Sequence, residues 1–327
     1  MNDNAIPTDR FAQASEIVRR LREEIGRAVV GQRAVVDQVL AAFLAGGHVL
    51  LEGVPGLGKT LLVKALAKTF SGQFARIQFT PDLMPADVMG HAVFDLKNQS
   101  FTIRRGPVFT NLLLADEINR APAKTQSSLL EIMQERQVTI EGESHVLTAP
   151  FMVLATQNPL EQEGTYPLPE AQLDRFLIKV LIDYPSAGEE LAMLKQTTLD
   201  RVGDGLDVDA VATLIRPETA VALQQLVAQV TVDAAVAEYA VRLVRATRDW
   251  PGIAIGAGPR GSIALVRVAR ALAVLAERTY VTPDDIKAAG LPVLRHRVTL
   301  SAESELEGLG VDELLQGVFE QTAAPRA

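Results

Sequence analysis

Cysteine is absent from all 327 residues, which rules out a disulfide and a thiolate metal centre. That absence suits a reducing compartment, and a cytoplasmic location is expected. Aromatic residues make up only 5 % of the chain, too few for the base-stacking platforms of a single-strand nucleic-acid binder. A basic excess is missing too. The formal net charge is −8 and the isoelectric point about 5.2. Residues 301–327 carry six acids and one base, which is −5 of that −8. Bulk nucleic-acid binding is therefore disfavoured, although a local basic groove would escape this argument. No apolar run reaches 18 residues and Met1 to Arg10 is polar, so no membrane span or apolar leader is expected. His48, His91, His145 and His296 are too scattered for a ligand set and read as structural. There is no internal repeat and no low-complexity stretch.

What remains is 48 % hydrophobic, enough for two domains or one large one. The texture changes once. Within 1–30 an amphipathic helix is marked by Phe11, Ile17, Val18, Leu21 and Ile25. A helix follows at about 32–45. Strands are expected at 48–52, 75–79, 112–115, 151–156 and 176–183, with helical stretches between several of them. Strands joined by crossovers imply a mainly parallel sheet with helices on both faces. Asp183-Tyr184-Pro185 closes this half. Helical spacing then dominates at 187–200, 218–229, 233–248, 260–278 and 283–290, and no strand is expected. The spacing predicts an α/β domain over 1–185 and a smaller all-helical lid over 186–327, with Trp250 as a packing anchor in the lid.

Residues 53–60, Gly-Val-Pro-Gly-Leu-Gly-Lys-Thr, fit G-x-x-x-x-G-K-[ST]. Gly53, Gly56 and Gly58 let the backbone turn its N–H groups toward phosphate oxygens, while Val54, Pro55 and Leu57 fill the loop between them. Lys59 offers a cation to the β/γ-phosphates and Thr60 a hydroxyl to Mg²⁺. The apolar run 49–52 before the loop and the helical pattern 61–70 after it supply the strand–loop–helix order that the motif needs.

Asp116 and Glu117 follow the apolar run 112–115. Two acids at the end of a buried strand, downstream of a phosphate loop, suit Mg²⁺-dependent hydrolysis. Asp116 would hold the metal and Glu117 would polarise the attacking water. Asn158, after the strand at 151–156, stands where ligands meet a parallel sheet and could orient water. A turn asparagine before Pro159 accounts for it equally well. Arg175 could reach a neighbour's nucleotide, or form a surface pair with an aspartate. Arg260, opening a lid helix, could contact phosphate or simply be solvated.

Together these residues resemble the MoxR family of AAA+ ATPases, in the helix-2-insert clade. The resemblance rests on Gly53–Thr60, on the block running from Gly106 through Asp116-Glu117-Ile-Asn-Arg-Ala-Pro122, and on Leu129–Ile140. It continues through Ala155-Thr-Gln-Asn-Pro159, Tyr166–Phe176, Asp183-Tyr-Pro185 and Leu294-Arg-His-Arg297, and covers roughly 10–300. The resemblance implies an AAA+ P-loop domain followed by a lid. It implies ATP and Mg²⁺ as ligands, with Lys59 and Thr60 as Walker A residues and Asp116 and Glu117 as Walker B residues. Asn158 would be sensor 1, Arg175 the arginine finger, and Arg260 sensor 2, acting on its own or a neighbouring subunit. Val30, Gly31 and Gln32 would line the adenine pocket. An insert is expected at 94–106 and a second hairpin at 137–146. The implied activity is ATP hydrolysis in an oligomeric ring, a hexamer by resemblance. The ring would remodel or activate partner proteins, or assist metal or cofactor insertion into them, with von Willebrand A-domain proteins as candidates. A nucleic-acid motor and a magnesium-chelatase-type subunit are the alternatives.

Overall fold

A computed structural model describes residues 6–54, 56–158, 164–198 and 208–325. Five strands form one parallel sheet, in the order Phe74–Gln78, Leu112–Asp116, Met152–Gln157, Val49–Glu52, Ile178–Leu181. The three inner strands are apolar without alternation because helices cover both faces of the sheet. The edge strand at 74–78 is less buried, with Arg76 and Gln78 among its polar members. Register brings Gln78 beside Asp116 and Glu52 beside Gln157. The carboxyl ends of four strands therefore open onto one rim, where parallel sheets bind ligands.

The helix Thr8–Ala28 buries Phe11, Val18, Leu21 and Ile25 as its spacing predicts, with Ala14 added, while Ile17 is only partly buried against the apolar cluster. The hairpin at 137–146 forms as expected, from Gln137–Ile140 and Glu143–Val146. The insert is longer than its sequence suggests: Gly90–Asp95 pairs with Ser100–Arg105, four residues upstream of the expected start.

The lid is not purely helical. Ile253–Ile255 pairs antiparallel with Thr299–Leu300. Strands of three and two residues, far apart in the chain, are too short to leave a periodic signal. The first lid helix spans Ala187–Thr198, and the expected residues 199 and 200 lie outside the described part. Trp250 packs against the apolar cluster, and a Cβ on Gly317 would meet its ring at 3.0 Å. Gly261, a weak helix former, sits where an added Cβ would press on Leu294 at 3.2 Å.

The basic run Arg295-His296-Arg297 clamps the lid to the sheet. Arg297 pairs with Asp174 at 2.8 Å and donates to the carbonyls of Phe176 and Leu177. His296 Nε2 lies 3.1 Å from the same Phe176 carbonyl, and Arg295 pairs with Asp312.

His48 is structural, as its isolation suggests. Its Nε2–H donates to the Met133 carbonyl at 3.0 Å, and its Nδ1 accepts from the Val153 N–H at 2.9 Å. The Val153 bond requires the neutral ring, because a protonated Nδ1 could not accept it. Burial pushes its pKa down to about 4, against the Met133 bond and with help from the Arg136 and Arg267 cations. The unfolded ring takes its proton first, near pH ~6.5. Stability carried by this residue is therefore full above ~6.5 and is lost as pH falls to about 4, a share of about 3 kcal/mol. An NMR titration of the His48 ring should show a midpoint near 4. A midpoint above ~6, close to the free value, would contradict the buried neutral ring.

Candidate active site

The loop leaves the strand Val49–Glu52 and enters the helix Lys59–Thr69. Gly56 and Gly58 have φ of 88° and 75°, left-handed values that side chains resist. Pro55 lies outside the described residues. Lys59 Nζ donates to the Gly53 carbonyl at 2.5 Å, so the side chain folds back along the loop. Burial pushes the Lys59 pKa down from the usual lysine value, and Asp116, Glu117 and Glu52 push back.

Asp116 ends its strand and is buried. Its Oδ1 accepts from the Thr156 hydroxyl at 3.1 Å and its Oδ2 from Arg76 Nε at 2.6 Å. The same Thr156 oxygen accepts the Glu117 N–H at 2.9 Å. Thr156 thus ties both acids to the neighbouring strand. Glu117 itself is left-handed, with φ 54° and ψ 51°, a conformation that costs a side-chain-bearing residue roughly 1–3 kcal/mol and concentrates at functional sites. Its Oε2 lies 3.2 Å from Arg120 Nη1.

One cavity of about 330 Å³ collects Gly56, Gly58, Lys59, Thr60, Asp116, Glu117, Thr156 and Asn158, with Arg76 and Gln78 on the edge-strand side. Loop, acids and Asn158 therefore line one space, which places Asn158, left open by its sequence context, beside the loop. A smaller cavity beside the loop is lined by Val30, Gln32, Leu57, Leu61 and Met193, and Gln32 Nε2 donates to the Leu57 carbonyl at 3.3 Å. Gly31 adjoins it, and a Cβ there would collide with Glu189 at 2.6 Å. Thr60 and Asp116 supply hard oxygens of the kind Mg²⁺ takes alongside phosphate. Among the described residues no three His, Cys, Asp or Glu form a dedicated metal cage.

The sequence profile of the ATPase family associated with various cellular activities (AAA) matches residues 48–178, and that of the AAA lid domain matches 245–317. Chaperone MoxR1 of Mycobacterium tuberculosis is 42 % identical over 93 % of this chain and 81 % of its own length. Protein MoxR of Methylorubrum extorquens is 33 % identical over 94 % of each. The chain belongs to the MoxR family of AAA+ ATPases. A crystallised candidate ATPase from Cytophaga hutchinsonii shares 40 % identity, covers 97 % of this chain and 98 % of its own, and superposes with a TM-score of 0.89.

In this MoxR-family chain, Arg175 and Arg260 do not join the loop. They line a separate cavity of about 360 Å³ that shares no lining residue with the first. Arg175 Nη1 donates to the Leu130 carbonyl at 2.9 Å. Asp174, its chain neighbour, pairs instead with Arg297 and, at 3.6 Å, with Arg260. A simple Asp–Arg surface pair therefore does not describe Arg175.

Sequence reasoning missed Thr156, Arg76 and Met193. Thr156 left a signal, a hydroxyl inside the apolar run Met-Val-Leu-Ala-Thr. Arg76 and Met193 left none, since cross-strand register and lid docking bring them to the site.

Proposed function

We propose that the chain is a Mg²⁺-dependent ATPase whose active unit is a ring of copies, and that it spends the hydrolysis of ATP on conformational work in a partner protein. The separation of the two cavities carries this reading. Lys59, Thr60, Asp116, Glu117 and Asn158 face one space, and Arg175 and Arg260 face another. A chain that presents its phosphate-binding half and its arginines to different spaces can be completed by a head-to-tail neighbour, and such contacts close into a ring when their rotation divides the circle. In this reading the nucleotide-binding domain spans 1–185, the lid spans 186–327, and the ring is a cytoplasmic hexamer.

Each residue has a task. The loop N–H groups and Lys59 bind the phosphates. Thr60 and Asp116 would hold Mg²⁺, which would supply positive charge against the phosphates. Glu117 takes the proton of the attacking water, and Asn158 orients that water. Val30, Gly31, Gln32, Leu57 and Met193 flank the base. Arg175 and Arg260 serve the neighbour's nucleotide.

The name of the Mycobacterium relative supports a chaperone-like role. So does the 90–105 hairpin, which exposes Phe94, Leu96 and Phe101 at 46 %, 84 % and 73 %. Apolar surface of that kind suits a protein partner more than a nucleic acid. Von Willebrand A-domain proteins awaiting a metal or cofactor are the partner class we propose.

Turnover per subunit should rise with protein concentration and level off once sedimentation shows rings. A monomer with full ATPase activity would overturn the ring. Tight, salt-sensitive DNA binding would replace the protein-directed reading with a nucleic-acid motor. A Thr156→Val variant should cut kcat about 10–100-fold while leaving ATP affinity within a few-fold, because it unties both acids without touching phosphate. Unchanged kcat would reduce Thr156 to a packing residue.

A further inference from the structure

The second cavity holds more positive charge than Arg175 and Arg260 account for. Guanidiniums of Arg136, Arg175, Arg260, Arg267 and Arg297 line it, against the single carboxylate of Asp174. Arg297 is committed to the clamp, with its side chain only 3 % exposed. Arg136 and Arg267 are placed differently. Arg136 Nη2 donates to the Gly46 carbonyl at 3.2 Å and Arg267 Nη2 to the Ala45 carbonyl at 2.7 Å. Among the described residues neither forms an ion pair.

Capping explains part of this. Ala45 follows the helix Arg33–Leu44, and a helix carboxyl end favours a cation. The two guanidiniums cap two successive carbonyls, and each has five donors of which one is used here. The crowding also has a cost. Burial and the Arg136 charge push Arg267 down from the usual arginine value. Burial likewise pushes Arg297 down, and the Arg260 and Arg267 cations add to it against Asp174. Arg136 closes the helix Ala123–Glu135 with φ 54°, a place that glycine fills more cheaply. Arginines that repel one another around an open cavity are stabilised by an anion with several oxygens. Planar forks fit phosphate two oxygens at a time.

We propose that Arg136 and Arg267 form, with Arg175 and Arg260, a polyphosphate-binding cup that in the assembled ring receives the phosphates of the nucleotide held by the neighbouring copy. The last clause rests on the ring reading above; the cup itself does not. Free polyphosphate and a neighbour's nucleotide share this chemistry, so the test has two arms.

In the first, inorganic tripolyphosphate is titrated by calorimetry at low salt into Lys59→Ala protein, whose own loop is disabled. Binding is expected, and it should weaken at least ~10-fold when Arg136→Gln and Arg267→Gln are added. Unchanged affinity overturns the cup, whether or not the protein forms rings. In the second arm, the Arg136→Gln/Arg267→Gln double variant with Lys59 intact is assayed at concentrations where sedimentation shows rings. Its kcat should fall at least ~10-fold. Lost tripolyphosphate binding with wild-type kcat would leave a cup for free polyphosphate and overturn the neighbour's nucleotide as its ligand. If the double variant fails to melt cooperatively, Arg267→Gln alone is read by the same two criteria.

Discussion

Glu117→Gln should bind ATP as tightly as the parent chain and hydrolyse it at least ~100-fold more slowly, the usual scale for losing a general base. The substitution keeps the shape of the side chain. It also leaves the left-handed backbone at 117 held by the Thr156 hydroxyl through the main-chain N–H. Only the proton acceptor is lost, because a carboxamide has no basic oxygen at neutral pH. Affinity and rate should therefore separate, as expected for a group that acts in the transition state. Titration with a fluorescent ATP analogue measures the first and phosphate release the second. A variant that turns over at the parent rate would remove Glu117 from water activation. Equal losses in both would point to a collapsed loop.

The other large effect concerns Arg175. In other nucleotide triphosphatases an arginine finger is worth roughly 10³–10⁵ in rate. A loss of at least ~100-fold is expected for Arg175→Ala at concentrations where rings form, somewhat less than that range. Loss of its bond to the Leu130 carbonyl removes one part-buried hydrogen bond, so stability should fall by only about 1 kcal/mol. The decisive comparison is a mixture. Arg175→Ala retains a sound loop and Lys59→Ala retains a sound arginine face. Combined in one ring, each should supply what the other lacks, and turnover should exceed that of either alone. Near-parental activity of Arg175→Ala by itself would contradict the trans role.

The loop and the two acids were legible in the sequence because their chemistry is local. Strand, turn and helix follow one another within about twenty residues, and Asp116 stands at the end of an unbroken apolar run. The parallel sheet was legible for the same reason: inner strands buried on both faces are apolar throughout. The strand at 74–78 shows the limit. Its position was evident, but Arg76 becomes an Asp116 partner only through pairing with a strand about forty residues away. Met193 reaches the small cavity beside the loop because the lid helix Ala187–Thr198 comes up to it. Arg136 and Arg267 carry no local motif that would single them out. Their meeting in one cavity depends on how the lid sits against the helix 33–44. The ribbon 253–255 with 299–300 left no mark, being shorter than any window that measures alternation.

The lid also limits how this chain can be divided. A single apolar interior runs from Phe11 and Val18 through Leu40 and Phe43 to Leu223, Leu243 and Leu265. The proposed boundary near 185 is thus a boundary in chain order and not in packing. A fragment ending there would turn the inner sides of the helices 8–28 and 33–44 out to water and would aggregate. A chimera carrying a foreign lid would inherit a mismatched seam. A change of side-chain volume on one side of the seam therefore leaves a void or a clash that only the other side can relieve.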